Sequence, residues 1–227
     1  MSLIGKARGW LARPLWDQAL GLSHRYDKFR DARFERAKGL DLSSEVQHAE
    51  LAAADAASVE QATCYQASAS TLLKLAIAEA TKAGLAFDNF VDIGCGKGKI
   101  CIDARRIGGF RRIIGLDFSQ PLVTIAEENV RKCGYAGEIE LVCADATQYD
   151  LPDGANLVYL FNPFGEAIMQ AFVERNIGPL RDGRSCVAYV FDAQRAVFAD
   201  LGFETLFRNQ TLEMSLLRAG PRLRGAG

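Results

Sequence analysis

Val91-Asp92-Ile93-Gly94-Cys95-Gly96-Lys97-Gly98-Lys99 sets three glycines at alternate positions, between an apolar run and a segment with Ile100, Ala104 and Ile107 at helical spacing. Phe90 to Ile93 reads as a short buried strand and Ile100 to Ile107 as a helix. In an open parallel sheet, the turn from such a strand into such a helix is where the ligand crevice lies. Gly94 and Gly96 allow a tight turn and close backbone approach. Gly98 allows close packing at the helix start, so a ligand can lie against the first N–H groups. A dinucleotide fingerprint needs glycine or alanine at position 99, where this chain has Lys99, and no acid before the glycine turn, where it has Asp92. An acid there opposes a pyrophosphate and suits a positively charged group such as an amino acid's ammonium.

Strands and helices alternate around this segment. Ala69 to Ala83 reads as a helix stopped by Gly84, and Arg112 to Leu116 as a second strand. Ser119 is the expected N-cap of a helix with Pro121 in its first turn, an apolar stripe of Leu122, Ile125, Ala126 and Val130, and Gly134 at its end. Strands are expected at Glu138 to Cys143, Leu157 to Phe161 and Ser185 to Phe191, with helices near Glu166 to Asn176 and Ala193 to Leu201. This alternation means right-handed crossovers and a mostly parallel sheet covered on both faces. Phe203 to Arg208 and Thr211 to Leu217 are separated only by Asn209-Gln210, so they read as a hairpin with one antiparallel strand.

The composition is that of a globular chain, with 49% hydrophobic and 24% charged residues and a net charge of -1 over 227 residues. Disorder and coiled coil are excluded, and no chain-wide electrostatic footprint for a polyanion exists. No apolar stretch approaches the roughly 20 residues of a membrane span, and Met1 to Trp10 has no signal-peptide core, so a cytoplasmic protein is expected. The six cysteines form no C-x-x-C pair and are expected to be reduced and mostly buried. His24 and His48 are the only histidines and have no partner at ligand spacing, so neither a metal site nor a Ser-His-Asp triad is expected.

Residues 1 to 38 carry nine Lys or Arg against four acids. Pro14, Leu15, Ala19, Leu22, Tyr26, Phe29 and Phe34, ended by Gly39, suggest an amphipathic helix there. Ser44 and Gln47 suggest a capping box for a second helix. This basic segment reads either as a contact for RNA, acidic lipid or a partner protein, or as the solvated face of a lid packed on the main domain. Lys99 and Asp103 read as solvated charges at the helix entrance.

Asp117 closes the second strand about 20 residues past the glycines, where a carboxylate accepts hydrogen bonds from a ribose diol. Asp145 ends the third strand and is placed to accept from an exocyclic purine amine; each acid alone also reads as a cap or turn residue. Over roughly residues 65 to 217, these features in this order resemble the class I S-adenosylmethionine-dependent methyltransferases. The resemblance implies an α/β, Rossmann-like, mostly parallel seven-stranded sheet with a C-terminal antiparallel hairpin. The division expected is a helical extension over 1–64 and the methyltransferase-like domain over 65–220. It also implies S-adenosylmethionine as cofactor. Asp92 would hold its methionine end, Gly94, Cys95, Gly96 and Gly98 would line its backbone, Asp117 with Phe118 would bind the ribose side, and Asp145 with Ala146 the adenine.

Asn162-Pro163-Phe164 after the fourth strand resembles the Asn-Pro-Pro-Phe or Tyr loop of relatives that methylate planar or amide nitrogens, with one proline instead of two. The resemblance implies a catalytic role for these three residues: Asn162 as an acceptor beside the methyl group, Phe164 as an apolar wall. Tyr65 stands where similar proteins close the cofactor pocket. The function expected is methyl transfer by in-line displacement to an acceptor, whether small molecule, protein or RNA, that the residues do not identify. The alternatives are a non-catalytic S-adenosylmethionine-binding module that recruits RNA or protein through its basic helix, and a nicotinamide oxidoreductase, which Asp92 and Lys99 disfavour.

Overall fold

The computed structural model describes residues 26, 29–42 and 68–220. A helix over 29–38 is followed by α1 (Ser70–Lys82), β1 (Asn89–Ile93), α2 (Lys99–Ile107), β2 (Arg112–Asp117), α3 (Gln120–Cys133) and β3 (Glu140–Cys143). A 3-10 turn (Ala146–Gln148) leads to β4 (Asn156–Phe161), α4 (Glu166–Arg175), α5 (Ile177–Leu180), β5 (Cys186–Val190), α6 (Arg195–Asp200), β6 (Phe203–Asn209) and β7 (Met214–Ala219). The seven strands lie in the order β3-β2-β1-β4-β5-β7-β6, and β7 is the reversed one, antiparallel to both neighbours. Because the order reverses beside β1, the C-terminal ends of β1 and β4 flank the crevice that the glycine turn was expected to mark.

Strand alternation divides the core. Phe90, Ile113, Leu157, Tyr159, Cys186, Ala188 and Val190 face α1, α2 and α3, while Val91, Ile93, Leu116, Val158, Leu160, Val187 and Tyr189 face α4 and α6. The central strands β1, β4 and β5 are buried on both faces, which explains their nearly continuous apolar runs. By the same parity Asp92 points to the α2 face, directly at Cys101. Gly115 on β2 gives that layer its room, since a Cβ there would fall 2.8 Å from Cys101 Sγ and 3.0 Å from Cys95 Cβ.

Several expectations need correction. The hairpin connection is the four residues Gln210 to Glu213, because Asn209 still pairs with Met214 and Glu213 turns the chain at a φ of 46°. Glu138 and Ile139 belong to the turn before β3, where Ile139 bridges Ala136. Ser119 sits at the N-cap of α3, but its hydroxyl makes no capping bond and is buried without a partner among the described residues; the carboxylate of Asp117 accepts from the Ser119 N–H instead. Tyr26 and Phe29, expected on an apolar stripe, are 65% and 64% exposed, whereas Phe34 packs against the core beneath the Arg106 guanidinium.

Lys99 and Asp103 are not solvated. Both are buried on α2, where Lys99 Nζ lies 3.0 Å from Asp103 and 2.9 Å from Asp31 of the strap helix, with Ser70 Oγ donating to Asp103 at 2.6 Å. Lys97, 1% exposed, donates to Asp41 at 2.8 and 2.9 Å. The Asn129 side chain holds the same stretch at both ends of one residue, accepting from the Asp41 N–H and donating to the Asp41 carbonyl. With Leu40 and Leu42 buried beside it, this strap is tied to α2 and α3 by charges that only pairing allows inside a protein. Its outward side carries Arg33, Arg36 and Lys38 in solvent. Tyr65, Cys64, His24, His48 and the Ser44/Gln47 capping box lie outside the described residues.

Candidate functional site

The three glycines all take left-handed φ, 81° at Gly94, 54° at Gly96 and 77° at Gly98. Only glycine holds such a sequence of dihedrals without strain. Gly94 and Cys95 both donate to the Leu116 carbonyl, at 2.8 and 2.9 Å, which closes the turn over the end of β2. A Cβ on Gly94 would meet Pro163 Cβ at 2.8 Å, so the loop after β4 rests on the glycine turn. A Cβ on Gly98 would meet Ala126 Cβ at 3.1 Å, and this residue caps α2. The turn thus presents an exposed Gly94 backbone to the crevice, with the start of a helix behind it.

Beneath this cradle lie two acids. Asp92 is 3% exposed, and the one hydrogen bond to it is from Cys101 Sγ at 3.7 Å, the Cys95 and Cys101 thiols being hydrogen-bonded to one another. Burial pushes its carboxyl up to about 7, with the nearby Asp117 charge adding to the rise and the Cys101 bond opposing it. Among the described residues no cation pairs with it. Asp117 accepts from the Gly96 N–H through Oδ2 and from the Ser119 N–H through Oδ1, both at 2.9 Å. Burial raises Asp117 to about 6 against these backbone donors. Each of its oxygens keeps acceptor capacity at the end of β2.

Along the same edge, Phe118 is half-buried and its carbonyl accepts from Cys143 at 3.6 Å. Asp145 caps the 3-10 turn, its Oδ1 accepting from the N–H and hydroxyl of Thr147 at 2.7 and 2.8 Å, and Ala146 is buried beside it. The turn role that Asp145 alone suggested is present, with both bonds on one oxygen. Cys95 is buried below the turn. The sheet therefore brings Asp92, Gly94, Cys95, Gly96, Gly98, Asp117, Phe118, Asp145 and Ala146 to one edge, the ends of β1, β2 and β3.

Asn162, Pro163 and Phe164 follow β4 on this edge. Asn162 holds a left-handed φ of 39° and donates its N–H to Val190 at 3.0 Å. The Phe164 ring is buried in the α4 layer, edge-on to Phe172, and anchors the loop from below. The exposed aromatic at this edge is Phe191, 39% exposed at the end of β5, with its ring 5.1 Å from that of Phe161. Sequence reasoning missed this pair. The signal was two neighbouring strands that both end in phenylalanine. It also missed the buried cations Lys97 and Lys99, whose signal was their place inside an otherwise buried strand-to-helix turn. Among the described residues no group of three or more His, Cys, Asp or Glu could hold a metal, and no helix is long and apolar enough to cross a membrane.

Residues 90–176, which run from β1 through α4, match the model of the "Methyltransferase domain" family. A probable cobalt-precorrin-6B C(15)-methyltransferase (decarboxylating) of Thermoplasma volcanium is 30% identical over 79 residues, covering 34% of this chain and 39% of the relative. The chain thus spans about two fifths of that relative's length. Among solved structures, an O-methyltransferase from neocarzinostatin biosynthesis is similar with a TM-score of 0.51 and 16% identity, covering 65% of this chain and 53% of that one. The ribosomal protein L11 methylase from Lactobacillus delbrueckii subsp. bulgaricus gives 0.49 and 18%, covering 66% of this chain and 79% of that one. The sheet order, the glycine turn and the acidic strand ends thus stand in a chain whose residues 90–176 are similar to the methyltransferase domain family.

Proposed function

We propose that this chain binds S-adenosylmethionine at the ends of β1, β2 and β3 and transfers its methyl group to an acceptor seated past β4. The observation that carries the reading is Asp92. A carboxylate this deeply buried, without a cation among the described residues, is costly, and a ligand ammonium beside it, directly or through water, would remove the cost. The residues present fit the cofactor: the left-handed glycines leave room for its chain, Asp117 keeps acceptor capacity for two ribose hydroxyls, and Asp145 with Ala146 flanks the place of the base. Tyr65 is proposed to close the pocket.

The bound cofactor supplies an electrophilic methyl on a sulfonium. The protein's task is then positioning. Asn162 orients the acceptor through its side-chain oxygen and Pro163 fixes that loop against Gly94, while Phe164 holds it from the core side. Aligning an acceptor near an activated methyl is worth about 7–11 kcal/mol through approximation alone, so no strong general base is required. We take 65–220 as the catalytic domain and 1–64 as its extension. For the basic segment, the half-buried Phe34 and, just beyond the segment, the buried Leu40 and Leu42 support the reading of a strap packed on the domain with a solvated outer face.

Calorimetric titration with S-adenosylmethionine, S-adenosylhomocysteine and NAD tests the proposal, alongside Asp92→Ala and Asp117→Ala. Micromolar binding of both adenosyl ligands, weakened at least tenfold in either variant, is expected. Folded protein that gives no heat with either adenosyl ligand would overturn it.

A further inference from the structure

Three non-glycine residues among those described hold a left-handed φ: Asn162 at 39°, Phe191 at 50° and Glu213 at 46°. All three sit at one edge of the sheet, at the ends of β4 and β5 and the start of β7, which are neighbours. Hydrogen bonds knit them together. Asn162 donates to the carbonyl of Val190, the residue before Phe191, and Asp192, the residue after it, donates to the carbonyl of Glu213. Glu213 is accounted for by the hairpin turn; strain at the other two, Asn162 and Phe191, is of the kind that concentrates at functional sites.

The left-handed turn at Phe191 has a visible effect. By strand parity Phe191 would follow Val187 and Tyr189 to the α4 and α6 face, and Phe161 would follow Leu157 and Tyr159 to the opposite one. Yet the two rings meet edge to face at 5.1 Å, because the turn swings Phe191 out of its expected layer and leaves it in solvent. Pro163, two residues past Phe161, touches the position of Gly94, so this aromatic pair stands beside the mouth of the cofactor crevice. Charge narrows what it can receive. Arg208 and Arg195 are both spent on the buried Asp192, which also accepts from Ser215, and Lys97 is spent on Asp41. The other charges along the edge among the described residues include Asp92, Asp117, Asp145, Glu166 and Glu213.

We infer that Phe191 and Phe161 form the wall of the acceptor site, and that the acceptor presents an uncharged or cationic planar aromatic group to it, with polyanions excluded. The inference rests on the methyl-transfer reading and names the substrate class of that same site. The ring of the acceptor packs on the exposed Phe191, and the atom to be methylated points toward Asn162 and the glycine turn.

The test uses full-length protein saturated with S-adenosylhomocysteine, with 2-naphthol as a neutral planar probe, and cyclohexanol and uridine 5′-monophosphate as aliphatic and anionic controls. Saturation-transfer NMR is expected to report saturable naphthol binding and none of either control. Phe191→Ala should weaken naphthol binding at least tenfold and leave the S-adenosylhomocysteine dissociation constant within twofold. Phe191→Gly, which removes the ring and also relieves the left-handed strain, should lose naphthol equally while its melting temperature stays at or above that of Phe191→Ala. Absent naphthol binding in the loaded wild-type protein, equal binding in Phe191→Ala, or preference for either control would overturn the inference. Failure of S-adenosylhomocysteine itself to bind would instead bring down the methyl-transfer reading, and this inference with it.

Discussion

Pro163 occupies the space that a side chain on Gly94 would need, its Cβ lying 2.8 Å from the position of the missing Cβ. The ends of β1 and β4 are therefore in contact through a residue with no side chain and one with a rigid ring. Gly94→Ala meets both this contact and an unfavourable φ of 81°. It should cost about 1–3 kcal/mol of stability and move the proline loop. Thermal melts should report the loss, and calorimetry at least a tenfold weaker affinity for S-adenosylmethionine.

Asp92 gives the ligand-free protein a definite pH dependence. Its carboxyl is raised to about 7 by burial, above the value of about 3.9 for an unfolded chain, so the native state retains a proton that the unfolded state has lost. Its contribution to stability is accordingly greatest at low pH and falls as pH rises from about 4 to about 7. Asp117, raised to about 6, acts with the same sign over a narrower window. Asp92→Asn should melt progressively higher relative to wild type as pH is raised from 5 to 7.5. Affinity of the wild type for S-adenosylmethionine should rise over the same range, as the ionised carboxylate becomes available to the ammonium group.

Lys99 is enclosed with Asp103, Asp31 and Ser70. Lys99→Ala leaves two acids without that cation and should cost about 3–5 kcal/mol, the usual result of breaking a buried pair from one side. The double variant Lys99→Met with Asp103→Leu should cost less than the sum of the two single changes. Urea unfolding of the four proteins closes the cycle.

Ser119→Ala inverts the usual expectation for an N-cap. Removal of a capping serine costs about 1 kcal/mol, but here the hydroxyl is buried without a partner among the described residues and Asp117 satisfies the backbone. The variant should be neutral or more stable than wild type in the same urea experiment.

Among the described cysteines, Cys143 is exposed, Cys133 half-buried, and Cys95, Cys101 and Cys186 are buried; burial raises the Cys143, Cys133 and Cys186 thiols, the hydrogen bond with Cys101 and then burial raise Cys95, and burial raises Cys101 against its bond with Cys95. Iodoacetamide labelling read by peptide mass spectrometry should find Cys143 first, Cys133 later and the other three only on unfolding. Cys143 pairs in register with Asp117, so bound S-adenosylmethionine should slow its labelling.

Where the sequence carried a local signal, the reading succeeded. The short apolar runs, the helix stops at Gly84 and Gly134 and the alternation around 90–191 identified the elements and the mostly parallel sheet, and the G-x-G-x-G spacing located the left-handed turn between β1 and α2. What escaped was set by tertiary contact. Nothing near Lys97 in the chain reveals that Asp41, 56 residues away, is its partner. Parity alone sends Phe161 and Phe191 to opposite faces, and a backbone dihedral unites them. The hairpin was shortened in the reading because Asn209 looks like a turn residue yet ends β6.

The ties between Asn129, Lys97, Lys99 and the strap bear on how this molecule could be trimmed. The segment matching the family model begins at residue 90, but a protein cut there would lose Asp31 and Asp41, the strap acids paired with Lys99 and Lys97, and leave Lys99 with Asp103. A piece that keeps both of these ion pairs reaches back at least to Asp31. Shortening the chain past that point would be felt at the glycine turn before it was felt anywhere else, since Lys97 is itself part of that turn.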